Sequence, residues 1–488
     1  MDDWPPPVRE TAAQRALRLD EEREAKRVND EIDLALEAER LERQKRKVDV
    51  KILLLGQAES GKSTILRNFQ LQFTPQAFRA EAAAWRAVIH LNLVRSVTFI
   101  LNLLSDAPSS PTTRTRAYAP SRPSHATSLS HSTGHGHPDF PVEINAGDYA
   151  HAPAPLVHMT DELRRLCMRL SPLRTVEAGL AQFLSADSES HPRAEPAHRV
   201  TERAFEVSVC PGSKWKALFG PAPHPTALAD TRTSQRAHPP HYEELEDARR
   251  VIEACREDMV ALWQDETVQE SLKNHSMALE FQSGFFLDEV DRIAVPGYEP
   301  SPSDILKARI QTMGVEEHIL KMETVADNGQ TWGIYDVGGS RGQRAAWIPY
   351  FDDLNLLLFL APMSAFNQVL AEDHSVNRLW DSFYIWNTIC SSRLLNNVTF
   401  VLLLNKLDLL DAKLKAGIQF RRFVTSYKDK PNETDSVVGY IKSKFSAIYK
   451  QHSPPGRLLR VHVTCATDSK ATSIVLERSE HCFLLAPH

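Results

Sequence analysis

The chain has 488 residues with 57 Lys and Arg against 63 Asp and Glu, a formal net charge of −6; that length exceeds one usual core, so two or more folded units are expected. The mildly acidic balance offers no field for nucleic acid and excludes it as a partner. Cys167, Cys210, Cys255, Cys390, Cys465 and Cys482 follow no metal-ligand or paired spacing, which points to reduced thiols in a cytosolic protein.

Met1 to Pro7 is acidic and proline-rich, and a helix-forming stretch with charges of both signs then runs to about Lys47. Ala25, Val28, Ile32, Ala35 and Leu36 recur at helical spacing, either as a weak seam on a solvated helix or as the face that meets a partner. Asp2 follows Met1 and no cysteine precedes Cys167, so neither amino-terminal myristoylation nor nearby palmitoylation is expected.

Val50-Lys51-Ile52-Leu53-Leu54-Leu55 reads as a buried strand. Gly56-Gln57-Ala58-Glu59-Ser60-Gly61-Lys62-Ser63-Thr64 follows, with the spacing of a phosphate-binding loop that opens a helix. Glycines let backbone N–H groups turn towards phosphate oxygens, and the helix start adds positive dipole. Lys62 can bridge the β- and γ-phosphates while the Ser63 hydroxyl ligates Mg²⁺. A nucleoside triphosphate is the expected ligand.

Helices are predicted over Thr64–Phe73 and Ala80–Leu104. The apolar run of the second carries His90, Asn92 and Arg95, as a buried or amphipathic helix does and a membrane span does not. Residues 105–150 and 185–240 are rich in serine, proline and histidine and read as disordered inserts, with metal binding by the histidine tract as the alternative. Helical patterns return over Leu156–Leu184 and Tyr242–Trp263. Between the phosphate loop and residue 300 no convincing strand occurs, so residues 76–303 are expected to form an all-α domain inserted after the first helix.

Strands are predicted at Val48–Leu55, His318–Val325, Thr331–Val337, Leu354–Ala361, Val398–Leu404 and Leu458–Thr464, with helices at Arg341–Phe351, Asp373–Cys390 and Asp435–Gln451. The expected fold is α/β, a mostly parallel six-stranded sheet built from residues 48–75 and 304–488, preceded by a helix over 1–47.

Three motifs stand at strand ends, where open α/β sheets bind ligands. Asp336-Val337-Gly338-Gly339 can hold Mg²⁺ through water and offer the Gly339 N–H to a γ-phosphate. In Asn405-Lys406-Leu407-Asp408, the carboxylate can accept two hydrogen bonds from guanine, which adenine does not offer, and the lysine stem can cover the ring. Thr464-Cys465-Ala466-Thr467-Asp468 can present the Ala466 N–H to the guanine oxygen.

Together with Asp304-Ile305-Leu306-Lys307-Ala308-Arg309-Ile310-Gln311-Thr312-Met313-Gly314, these pieces resemble the heterotrimeric G-protein α subunits, in a divergent, fungal-type form, over roughly residues 20–104 and 242–468. The resemblance implies a P-loop GTPase domain with an inserted helical domain. It implies that Arg309 is an arginine finger supplied in cis and that Thr312 joins Ser63 as a Mg²⁺ ligand. The Leu306-Lys307-Ala308 stretch is expected at the nucleotide, with Leu306 near the ribose. Gln282 and Ser283 would mark the helical contact to the nucleotide, where the family has Asp-Ser. Ser340 stands at the catalytic position of the family's glutamine, which implies slow hydrolysis unless Gln343 takes the role.

Implied partners are a βγ dimer, a G protein-coupled receptor and an effector, at the cytoplasmic face of the plasma membrane. Arg341, Gln343, Arg344 and Trp347 would lie on the helix that rearranges, with Trp347 either plain core or packed in the active state. Ser469–His488 is much shorter than the family's receptor-contacting helix. Two alternatives stay open: a GTP-binding scaffold with negligible hydrolysis, and a P-loop ATPase or kinase, against which Asp408 argues.

Overall fold

The computed structural model describes residues 48–105, 159–184, 240–274, 278–310, 312, 314–322 and 330–468, together with Arg23, Lys26 and Arg27, which are helical. The predicted inserts, but for Ser105 and Pro240, and the tail Ser469–His488 lie outside the described residues. The chain divides into two units, Met1–Asp49 and Val50–His488.

Six strands form one sheet: β1 (Val50–Gly56), β2 (Val315–Lys321), β3 (Thr331–Val337), β4 (Leu356–Pro362), β5 (Thr399–Asn405) and β6 (Leu459–Val463). Their order is β2-β3-β1-β4-β5-β6, with β2 antiparallel to β3 and every other pairing parallel. Inner strands of such a sheet are covered on both faces, so they read as unbroken aliphatic runs. Ile52 to Leu55 and Leu357 to Ala361 are fully buried.

Alternate residues serve opposite cores. Leu53, Leu55, Leu357, Phe359 and Leu402 pack with the helices Arg378–Cys390 and Thr434–His452, and Ile52, Leu54, Leu358 and Leu403 pack with the helix Lys62–Phe73. On the first face Phe383 and Phe445 meet at 4.4 Å between ring centroids, and the Trp386 indole donates to the Phe445 carbonyl at 3.0 Å. Each such ring buried contributes about 1.5 to 3 kcal/mol.

Among the described residues, everything between the helix Lys62–Phe73 and β2 is helical, turn or irregular. The helix Ala82–Ser105 runs through the middle of a third cluster, with Val88, Leu91, Val94, Val97 and Ile100 fully buried. It is long and apolar enough to cross a membrane, yet 89% of its most apolar window is buried inside the protein. A helix apolar all round is what such burial requires.

Several boundaries differ from the sequence reading. β2 begins at Val315 instead of His318, because its pairing with β3 extends to Val337. The predicted helix Leu156–Leu184 is two, Asp161–Leu170 and Leu173–Leu184, broken at Ser171 and Pro172. Residues Arg341–Tyr350 form a 3₁₀ segment that contains Pro349, which has no N–H for an α-helical ladder. The helix predicted from Asp373 starts at Arg378, where the Asn377 side chain accepts from the N–H groups of Leu379 and Trp380. Leu407–Lys415 is a helix that the motif at its start concealed.

From β1 the chain is flanked by β3 on one side and β4 on the other, so strand order reverses at β1. A crevice at the carboxyl ends of the strands follows from that reversal.

Candidate nucleotide-binding site

β1 delivers Gly56 to that crevice. The loop then turns through Glu59 (φ 58°) and Gly61 (φ 104°) into the helix that starts at Lys62. No acidic residue occupies its first turn, so the free N–H groups and positive dipole are available to an anion. Lys62 is buried and donates to the carbonyls of Gly56 (3.0 Å) and Gln57 (2.8 Å). Burial lowers its pKa to about 8, against the opposing pull of Asp336.

The loop borders a cavity of about 370 Å³, within the range of small-ligand sites. Of the predicted residues, Glu59, Gly61, Lys62, Ser63 and Thr64 line it from the loop. Gln282, Ser283, Leu306, Lys307, Ala308, Arg309 and Thr312 line it from the helical side and the stretch after it. Val337, Gly339, Asn405, Lys406, Asp408 and Ala466 complete the wall. Ser60, Asp336, Gly338, Ser340 and Leu407 are not part of the lining.

Gly339 has a steric reason to be glycine. A Cβ there would sit 2.2 Å from the Gln57 carbonyl carbon and 2.3 Å from the Ala58 nitrogen, so the exit of β3 lies directly against the phosphate loop. Beside it, the Trp347 indole donates to the Gly338 carbonyl at 2.9 Å. Ser340 Oγ donates to Gln343 Oε1 at 2.9 Å.

Three oxygens converge at the foot of the loop. Ser63 Oγ is 2.5 Å from Asp336 Oδ2 and 2.9 Å from Thr312 Oγ1, which is 3.0 Å from the same carboxylate oxygen. Asp336 is buried, its other oxygen Oδ1 has no hydrogen-bond partner among the described residues, and burial raises its pKa. Hard oxygen donors with an unspent carboxylate oxygen fit a small divalent cation.

At the far end, the buried Asn405 accepts from the Ala466 N–H at 2.9 Å and donates to the Ser60 carbonyl at 2.7 Å, tying three motifs together. The Ala466 N–H, predicted to face a base oxygen, thus has a protein acceptor, which the buried carboxamide needs. Lys406 adopts the left-handed conformation (φ 64°) just before the helix Leu407–Lys415. Burial lowers its pKa to about 8.

A profile of the G-protein alpha subunit family matches residues 26–482. The chain belongs to the G-protein alpha subunit family. It is 29% identical to the guanine nucleotide-binding protein alpha-4 subunit of Mycosarcoma maydis, over 96% of this chain and 91% of that protein. It is 33% identical to the alpha-3 subunit of Caenorhabditis elegans over 48% of this chain and 64% of that protein, and 36% identical to the alpha-8 subunit of Caenorhabditis briggsae over 44% and 56%.

Sequence reasoning missed several residues of this alpha-subunit site. Arg378 donates from Nη2 to the Ala58 carbonyl at 2.6 Å and from Nη1 to Glu59. Glu59 also pairs with Arg309; burial alone would raise its pKa, but Arg309, Arg378 and Lys406 hold it down to about 2. Arg67 donates to the carbonyls of Ile305 (2.6 Å) and Ala308 (2.7 Å), fixing the turn that carries Leu306 and Lys307. Nothing in the local sequence distinguishes these arginines.

Proposed function

We propose that this chain binds GTP and GDP with Mg²⁺, hydrolyses GTP slowly, and signals as the α subunit of a heterotrimer. The observation that carries the reading is the convergence of four separate motifs on one cavity: the phosphate loop, the Arg309–Thr312 stretch, the Asp336–Gly339 turn and Asn405–Asp408.

Lys62 exchanges its two carbonyl partners for phosphate oxygens, and the helix N–H groups take up the rest of the charge. Ser63, Thr312 and Asp336 would hold Mg²⁺, which supplies neutralisation of phosphate charge when bound. Arg309, now paired with Glu59, supports the charge of the transferring phosphoryl. Asp408 accepts from the guanine edge, and Lys406 covers the ring.

Ser340, at the position of the family's glutamine, lies outside the cavity lining and its short hydroxyl donates to Gln343, so in-line placement of the attacking water is poor and turnover slow. That same contact favours the second reading, a GTP-binding scaffold with negligible hydrolysis.

The family resemblance extends the proposal to a βγ partner bound by residues 1–47 and the Arg341–Tyr350 segment, to a receptor and an effector, and to residence at the cytoplasmic face of a membrane. Single-turnover phosphate release from bound GTP separates the readings. A measurable rate that depends on Arg309 supports the enzyme, and none supports the scaffold.

A further inference from the structure

Arg309 lies on an irregular stretch between the helix Pro302–Lys307 and β2, so its backbone N–H and C=O find no helix or strand ladder. Both are satisfied by one side chain. Asn92 Oδ1 accepts from the Arg309 N–H at 2.7 Å, and Asn92 Nδ2 donates to the Arg309 carbonyl at 3.1 Å. Asn92 belongs to the helix Ala82–Ser105, is 6% exposed, and sits between Leu91 and Leu93, which are fully buried. An asparagine costs helix propensity there, and its amide costs more to bury unless fully hydrogen-bonded. The carboxamide offers a donor and an acceptor side by side, as a neighbouring β-strand does. Aspartate, leucine and alanine do not.

The surroundings leave room for this contact. Gly284 has φ 81°, and a Cβ on it would lie 2.8 Å from Arg309 Cβ and 3.0 Å from Asn92 Oδ1. Its N–H donates to the Lys307 carbonyl at 3.1 Å, and Arg67 takes the Ala308 carbonyl. The backbone from Lys307 to Arg309 is therefore held from three sides, while the Arg309 guanidinium stays directed at Glu59 in the cavity wall.

We propose that Asn92 is a positioning residue for Arg309: the helical part of the chain, through this one carboxamide, fixes the backbone from which the arginine reaches the phosphates. The inference rests on the catalytic part given to Arg309 above. It makes hydrolysis depend on the seating of the long helix against this stretch. If that contact opens, Arg309 loses its anchor before the loop loses the nucleotide.

The test uses the full chain and GTP, with Asn92→Ala, Asn92→Leu and each combined with Arg309→Ala. Asn92→Ala is expected to slow single-turnover hydrolysis by about ten- to a hundredfold, as misplacement of a catalytic group does, with GTP affinity changed less than about threefold. It should add no slowing once Arg309 is alanine. Equal slowing in both backgrounds, or none in either, overturns the proposal. If Arg309→Ala itself leaves the rate unchanged, the catalytic reading of Arg309 fails instead, and the positioning role falls with it. Amide hydrogen exchange at Arg309 in the GDP-bound protein tests the clamp independently of turnover. Asn92→Leu, which adds apolar surface to an apolar helix, should accelerate it; retained protection contradicts the clamp.

Discussion

Gln57 Nε2 donates to Asp381 Oδ2 across 2.5 Å, joining the phosphate loop to the helix Arg378–Cys390. The same carboxylate takes both arms of the Arg344 guanidinium, at 2.9 and 2.6 Å, and Arg344 belongs to the 3₁₀ segment that follows Gly339. One buried aspartate thus connects the loop that grips phosphate with the segment expected to move. Asp381→Ala leaves Arg344 without its carboxylate and should cost about 3 kcal/mol, read as a lowered denaturation midpoint. Gln57→Ala removes hydrogen bonds alone and should cost about 1 to 2 kcal/mol. Equal losses would show that Arg344 is not the group Asp381 serves.

Asp408→Asn should weaken GTP by about 2 to 4 kcal/mol through loss of two charge-assisted bonds, and favour xanthosine triphosphate, whose keto group pairs with an amide donor. Unchanged GTP affinity would remove Asp408 from the base pocket.

The pH dependence follows from Lys62 and Lys406, both lowered to about 8 by burial. A phosphate anion favours protonated Lys62, so bound nucleotide raises its pKa. Below pH 8 the lysine is already charged and affinity should be flat. Above pH 8 a proton must be taken up, and affinity should fall by up to about tenfold per pH unit. Calorimetry in buffers of different ionisation enthalpy checks the sign, with uptake expected at pH 8.5 and little at pH 6.5.

Ser340→Gln should accelerate single-turnover hydrolysis, since a carboxamide reaches the water and the phosphate oxygen together, by on the order of a hundredfold. Gln343→Ala frees the Ser340 hydroxyl and distinguishes the outcomes. A collapse of the wild-type rate in Gln343→Ala would mean that Gln343, not Ser340, places the water.

Spacing made two motifs and the sheet legible, while the parts given to Arg309, Thr312, Leu306 and Gln282 came only from the family resemblance. The phosphate loop and Asn405–Asp408 each follow an aliphatic strand, so strand, turn and chemistry coincide within a dozen residues, and the sheet with its inserted helices could be read from them. Hidden were contacts between common residue types far apart in sequence. Asn92 and Arg309 are 217 positions apart and Gln57 and Asp381 are 324, and neither pair bears a local signal. The 3₁₀ form of Arg341–Tyr350 was missed because its apolar spacing resembles an α-helix, while Pro349 decides the hydrogen bonding.

The central claim, a site for guanine nucleotides, is tested most directly by equilibrium displacement of a fluorescent GTP analogue from the full chain in Mg²⁺. Unlabelled GTP and GDP should displace it at concentrations at least about a hundredfold below ATP, as the loss of two charge-assisted hydrogen bonds implies. Displacement by ATP as effective as that by GTP would contradict the account.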